Sequence, residues 1–309
     1  MKPTDLRAAV EAYLDLRRAL GFKLRTESWI LSDCVAFFET HGASFITTAL
    51  ALRWAQQPPD GSPYYWAKRL STVRCFARHH RVFDPRTEVP PPLPLPFCTQ
   101  RRRPYIYTDE EVALLMREAR DLPGTLRSES YATLVGLLAA TGMRVGEAIA
   151  LDDEDLDWRR SLVTVRHAKF QKSRHVLLHQ STLAALRVYT TLRDRLYPRR
   201  HSRSFFVSGV GTRIHIQNFQ LVFLRLLRVA GLDTGPGRRP RIHDLRHAFA
   251  LKTLSAWYRS GVDAERRLPW LSTYLGHVSP AATYRYLTAT PELLALAGER
   301  LDRAWEVRP

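Results

Sequence analysis

Five short segments of this chain set polar side chains among apolar neighbours: Thr141-Gly-Met-Arg144-Val-Gly-Glu147, a basic stretch with Lys169, His243-Asp-Leu-Arg246-His247, Leu275-Gly-His277, and Tyr286. Each has an ordinary explanation when taken singly. An arginine after a Gly-Met turn is commonly an ion-pair partner, here of Glu147, and a histidine on an apolar face is commonly a hydrogen-bonded core residue. Together, and in this order, they are the parts needed to transfer a phosphoryl group without a metal. Two guanidiniums can fork onto phosphate oxygens, a lysine and histidines can move protons, and a phenol can attack.

Charge points to the same class of partner. The 309 residues carry 47 Lys plus Arg against 30 Asp plus Glu, a net charge of +17, which favours a polyanion. An RNA or a membrane surface would satisfy that charge equally, so the motifs must select DNA. A hydrophobic fraction of 45% is enough for one or two substantial cores, and two domains are expected. Residues 132–143 form the longest nearly uncharged apolar run, about half of the roughly 20 residues that span a bilayer, so no membrane span is expected. Asp5, Arg7, Glu11, Asp15 and Arg17 interrupt any secretory core, which predicts a cytoplasmic, nucleoid-associated protein. Cys34, Cys75 and Cys98 are widely separated and lack CxxC spacing, so neither a disulfide framework nor a zinc site is expected. His243 and His247 stand at i, i+4, yet no third ligand accompanies them, and no metal or cofactor is expected.

These residues must be positioned by helices for the most part. Leu6, Val10, Tyr13 and Leu14 mark a first helix ending at Gly21, a second follows Lys23 up to His41-Gly42, and Thr47 or Thr48 can cap a third reaching Gln57. In residues 62–82, Tyr65, Trp66, Leu70, Val73, Phe76 and Ala77 recur at helical spacing, while Lys68, Arg69, Arg74, Arg78 and Arg81 supply a basic face that could meet DNA or simply solvent. Seven prolines and the run Arg101-Arg102-Arg103 make residues 85–104 a stiff connector. The expected division is therefore a helical DNA-binding domain at 1–84, a linker at 85–104 and a catalytic domain at 105–309. In the last of these, Thr108-Asp109-Glu110-Glu111 opens a helix that continues through Leu114, Leu115 and Met116, and helical regions are predicted over 130–150, punctuated by Thr141-Gly142, and over 180–197, 216–230, 244–260 and 270–275, with a final amphipathic segment at 291–305. Residues 161–165 and 175–178 read as two strands of a hairpin whose tip, 166–174, is basic. The fold class expected is mainly α, with a small antiparallel sheet.

At this point the chain resembles the tyrosine recombinase or phage integrase family, which includes the lambda integrase, Cre and the Xer recombinases. The resemblance rests on Arg144 in its Thr-Gly-Met-Arg-Val-Gly-Glu setting, Lys169 25 residues later, His243-x-x-Arg246-His247, Leu-Gly-His277, and Tyr286 nine residues beyond that histidine. It implies a four-helix, SAM-like core-binding domain followed by a helical catalytic domain with a hairpin, together forming a clamp on duplex DNA. It further implies that Tyr286 is the nucleophile, giving a 3′-phosphotyrosyl intermediate, and that Arg144 and Arg246 hold the non-bridging oxygens. Lys169 would be the general acid, His243 the proton acceptor or relay near the tyrosine, and His277 a phosphate hydrogen-bond donor. Glu147 and Asp244 would orient the arginine boxes. Lys172 competes with Lys169, Tyr284 is set aside because only Tyr286 has the family spacing, and His247 is read as structural. A homo-tetramer on two recombination sites, with accessory proteins possible, is the implied working form, and the segment ahead of Leu-Gly-His resembles members carried by mobile elements. The competing functions are a type IB topoisomerase, which relaxes DNA without exchanging strands, and a catalytically silent DNA-binding regulator.

Overall fold

In a computed structural model the described residues are 5–57, 61–92, 104–166, 173–199, 202–233, 239–277, 279, 281–284, 286, 295 and 298–299. The chain divides into two units, Met1–Arg102 and Arg103–Pro309. The first holds the four expected helices. Helix α1 (Leu6–Ala19) begins where the Asp5 side chain accepts the Arg7 amide, and it buries Leu6, Val10, Tyr13 and Leu14, the stripe visible in the sequence. Helix α2 (Arg25–Thr40) contributes Ile30, Leu31, Val35 and Phe38 to the same core. Thr47 caps α3 (Thr48–Ala55), and Ser62 caps α4 (Pro63–His80) with Pro63 in its first turn, where a missing amide proton costs nothing.

Two basic residues of α4 are engaged within the first unit. Arg69 is 4% exposed, donates to Asp33 Oδ2 at 2.9 Å and to the Trp54 carbonyl at 3.1 Å, and lies 4.0 Å over the Trp54 ring. Arg74 donates to the carbonyls of Pro90 and Pro91 at 2.8 and 2.7 Å, while Arg78 and Arg81 remain exposed. The first part of the proline-rich stretch is also tied down. The Glu88 amide donates to the Ile46 carbonyl, the Glu88 carboxylate accepts the Thr48 amide, and Val89 packs on the helical core. Residues 85–91, placed in the connector by composition, thus belong structurally to the first unit. Prolines lack a donor but keep a carbonyl, and here α4 uses those carbonyls.

In the second unit, a capping box between Thr108 and Glu111 starts α5 (Asp109–Arg120). Helix α6 (Thr125–Thr141) is buried on nearly every side, with Leu126, Tyr131, Leu134, Val135, Leu137 and Leu138 in the core, and α5, α8 (Gln180–Leu196) and α10 (Ile242–Arg259) pack against it. That central position accounts for the apolar run at 132–143. Gly142, at φ 61°, ends α6 in a left-handed turn at the expected Thr141-Gly142 break, and α7 (Val145–Ile149) follows. A three-stranded antiparallel sheet follows in the order β1 (Leu156–Asp157), β2 (Leu162–Val165), β3 (Arg174–Leu177), with Leu156 opposite Val163 and Val163 opposite Val176. The hairpin strands were legible from alternation; two-residue β1 was too short to show any. Helix α9 (Ile216–Val229) lies close to its expected bounds, whereas α11 (Ala264–Leu275) starts six residues earlier than expected because Asp263 caps it and Pro269 is accommodated inside. Helix α12 (Ala281–Tyr284) is one turn. The amphipathic segment expected at 291–305 lies outside the described residues save Ala295 and Gly298–Glu299.

Candidate active site

Two helix ends build the site. The last carbonyls of a helix have no intrahelical partner and carry the negative end of its dipole, so they attract cations. At the end of α6 the Gly142 carbonyl accepts from Arg246 Nη1 at 2.8 Å, and at the end of α11 the Leu275 carbonyl accepts from Arg246 Nη2 at 2.6 Å. Arg246 is thereby fixed between two chain segments while 1% exposed, on the first turns of α10. Among the described residues it makes no ion pair. Burial, and then the nearby Arg144 charge, push its guanidinium down to about 10, well below an ordinary arginine but still protonated at neutral pH.

Arg144 joins the same end of α11: Nη2 donates to the Gly276 carbonyl at 2.9 Å, and Nη1 donates to Glu147 Oε1 at 2.8 Å, with about a third of its side chain open to solvent. The Glu147 carboxylate also takes both guanidinium nitrogens of Arg174, at 3.1 and 2.7 Å, and Arg174 Nε donates to the Tyr274 carbonyl. Burial raises the Glu147 carboxyl, but the ion pairs with Arg174 and Arg144 outweigh it and hold the group below the usual range, ionised. Arg174 was seen in the sequence only as part of a basic hairpin tip. Nothing in its spacing distinguishes it, since its partners lie 27 and 100 residues away. Gly276, at φ 67°, allows this approach: a Cβ there would stand 2.9 Å from Arg174 Nη1. Asp244, fully buried, accepts from the Arg241 amide and guanidinium and so anchors the start of α10.

The left-handed turn at Gly276 turns His277 away from α11, and the His277 Nδ1 pairs with Thr283 Oγ1 at 2.7 Å. Tyr286 is 5% exposed, packed with Leu251, Leu254, Leu268, Leu271 and Leu275, its amide bonded to the Thr283 carbonyl. Its ring stacks near His277 at 6.1 Å between centroids. The Tyr286 hydroxyl meets His247 Nδ1 at 3.2 Å. His247 was expected to be structural; its i, i+4 relation to His243 was the signal that both could share a face, and the two rings meet edge to face at 4.8 Å. Desolvation, then the neighbouring His247, Arg246 and Arg144, push the His243 imidazole down to about 4. His243 is therefore neutral at neutral pH. The structure brings together Arg144, His243, Arg246, His277 and Tyr286, while Lys169 and Lys172 lie outside the described residues. Tyr284, the last residue of α12, is exposed. No group of three or more His, Cys, Asp and Glu side chains suited to a metal ion occurs among the described residues, and no helix there is long and apolar enough to cross a membrane.

Comparison with known proteins gives a consistent picture. Residues 106–292 match the model of the phage integrase family. The chain is 44% identical to the integrase/recombinase y4rB of Sinorhizobium fredii over 312 residues, covering 99% of both, and 25% identical to the tyrosine recombinase XerC of Chlamydia caviae, covering 73% of this chain and 68% of that one. Its fold is similar to that of the Tn1549 transposon integrase solved with transposon right-end DNA, with a TM-score of 0.64 at 14% identity, covering 95% and 99% of the two chains.

Proposed function

The chain belongs to the phage integrase family and is a tyrosine site-specific recombinase, and from that premise we propose that it cuts and rejoins DNA through a 3′-phosphotyrosyl intermediate made by Tyr286. The observation that carries this reading is the convergence on one spot of Tyr286 and of two arginines held by backbone carbonyls. Arg246, held by carbonyls alone among the described residues, keeps its full charge for an anion, and Arg144 shares its charge with Glu147. Arg144 and Arg246 take the non-bridging oxygens of the scissile phosphate and spread the charge of the pentacoordinate centre. His277, fixed by Thr283, hydrogen-bonds the phosphate. The hairpin delivers Lys169, or Lys172 in its place, to protonate the departing 5′ oxygen, and neutral His243 completes the proton relay beside the tyrosine. The phosphodiester energy is kept in the phosphotyrosine, so a 5′-hydroxyl from a second duplex can reseal the strand with no external energy source.

Duplex DNA is the partner this charge and site suit, and the working form is a homo-tetramer on two recombination sites, with accessory proteins setting direction. The relation to y4rB over nearly the full length of both chains supports a role in integration, excision or transposition of mobile DNA. Phosphate contacts dominate affinity, so binding falls on the order of a hundredfold or more between low and moderate salt.

The test is covalent adduct formation on nicked suicide duplexes drawn from the DNA flanking the gene, resolved on SDS gels in EDTA. Wild type forms adduct, and Tyr286→Phe binds the same duplexes but forms none. Strand exchange retained by Tyr286→Phe would overturn the assignment, and relaxation of plasmids of any sequence without exchange would favour the topoisomerase alternative.

A further inference from the structure

We propose that His247 is a catalytic residue that takes the phenolic proton of Tyr286 as the tyrosyl oxygen attacks phosphorus. The inference rests on Tyr286 being the nucleophile, as proposed above, and adds the group that activates it. A phenol holds its proton at neutral pH and is a weak nucleophile until a base within hydrogen-bond reach removes it. His247 Nδ1 is 3.2 Å from the Tyr286 hydroxyl, at the edge of that reach, and the two rings cross at 62° with centroids 5.5 Å apart.

The position of His247 in the fold strengthens the geometric case. It is the residue after Arg246, whose guanidinium is clamped to the ends of α6 and α11, so base and phosphate ligand ride on one rigid turn of α10. His243 lies one turn earlier, edge to face against His247 at 4.8 Å. Of the two, His247 touches the Tyr286 hydroxyl, so His247 suits the first place in a relay and His243, packed behind it, the second.

The step balances as follows. Neutral His247, with its hydrogen on Nε2, accepts the Tyr286 proton at Nδ1 as the phenolic O–H bond breaks and the Oη–P bond forms. The P–O5′ bond breaks, its electron pair goes to the 5′ oxygen, and that oxygen takes a proton from the hairpin lysine. Resealing runs the sequence backwards, with His247 returning the proton to the tyrosine.

The experiment uses the full-length protein in single-turnover adduct formation on the suicide duplex, comparing wild type, His247→Ala, His247→Asn and Tyr286→Phe, with and without imidazole. Asparagine places an amide near the position of Nδ1 and keeps a hydrogen bond, but it cannot take a proton. His247→Ala is expected to lower the rate about 100-fold, the usual size of general-base catalysis, with DNA affinity within about threefold of wild type. Imidazole should restore His247→Ala at least about tenfold while leaving wild type and Tyr286→Phe unchanged, and His247→Asn should stay as slow as His247→Ala. Where His247→Ala fails to fold, by circular dichroism and melting, His247→Asn carries the test. A rate for His247→Asn near that of wild type, or a folded His247→Ala that is fast or indifferent to imidazole, would overturn the proposal while leaving Tyr286 in place. Absence of adduct from wild type would instead bring down the nucleophile reading and this inference with it.

Discussion

Arg69 in the first unit and Arg246 in the second are buried to a similar degree, 4% and 1% exposed, and are held in opposite ways. Arg69 finds a carboxylate, Asp33, and an aromatic face, Trp54. Arg246 finds only backbone among the described residues, the carbonyls of Gly142 and Leu275. A buried charge with its counter-ion inside the fold is neutralised and contributes to structure. One held by helix-end dipoles is tolerated without being neutralised, and its attraction for an anion is preserved. The difference separates an arginine that builds a core from one that awaits phosphate.

The largest effect that would test this contrast is on chemistry. Arg246→Met should lower adduct formation by about a thousandfold or more, yet leave the melting temperature unchanged or raised, because it deletes an unneutralised buried charge. Arg69→Met should do the reverse, costing about 2 kcal/mol in denaturant unfolding while cleavage per folded molecule is kept; the half-exposed Asp33 can rehydrate, which limits the loss. A destabilised Arg246→Met beside an inactive Arg69→Met would reverse the comparison.

Arg174 stands between these extremes, since it pairs with a carboxylate that also touches Arg144. Arg174→Ala should cost about 3 kcal/mol by leaving buried Glu147 half-paired, and should slow cleavage roughly tenfold through a looser Arg144. Because Glu147 is held below the usual carboxylate range, the stability it contributes is present above the unfolded-state pKa and is lost as pH falls through the folded one. Arg174→Ala should therefore flatten the acid limb of the stability profile.

Glycines sharpen the same comparison at a smaller scale. Gly142 and Gly42 both sit at positive φ, but a Cβ at Gly142 would come 2.6 Å from Phe249, whereas nothing lies within 4 Å at Gly42. Gly42→Ala should cost about 1 kcal/mol of backbone strain and Gly142→Ala about 2–3 kcal/mol, measured by urea unfolding. The smallest expected effect is at His243. With a folded value of about 4 and an unfolded one near 6.5, the unfolded chain binds more protons between those limits, so stability should decline as pH drops through that window. His243→Asn should reduce that slope.

Much of this was readable without coordinates. The α1 stripe, the Ser62-Pro63 and Thr108-to-Glu111 starts and the hairpin strands are set by neighbours within a turn or by simple alternation. Of the site, Arg144, Arg246, His243, His277 and Tyr286 were recognisable as a set because their types are those of phosphoryl transfer and their order matches a family. His247 was read as structural and Arg174 only as part of the basic hairpin tip, since an arginine or histidine beside a recognised motif has no local signature of its partner. The inward turn of Arg69 was missed for the same reason: on a helical wheel it belongs with the basic face, and Asp33, 36 residues away, decides otherwise.

The amino-acid sequence by itself determined where most helices lie and which reactive groups the chain carries, because capping, helical periodicity and functional-group chemistry act over a few residues. Only the tertiary structure decided which charges are neutralised and which are kept. Arg246 meets carbonyls 104 and 29 residues away, and His247 meets the Tyr286 hydroxyl 39 residues on, through packing that brings distant helix ends into one low-dielectric place. The strength of an electrostatic contact depends on that distance and that medium, and neither is a property of local sequence.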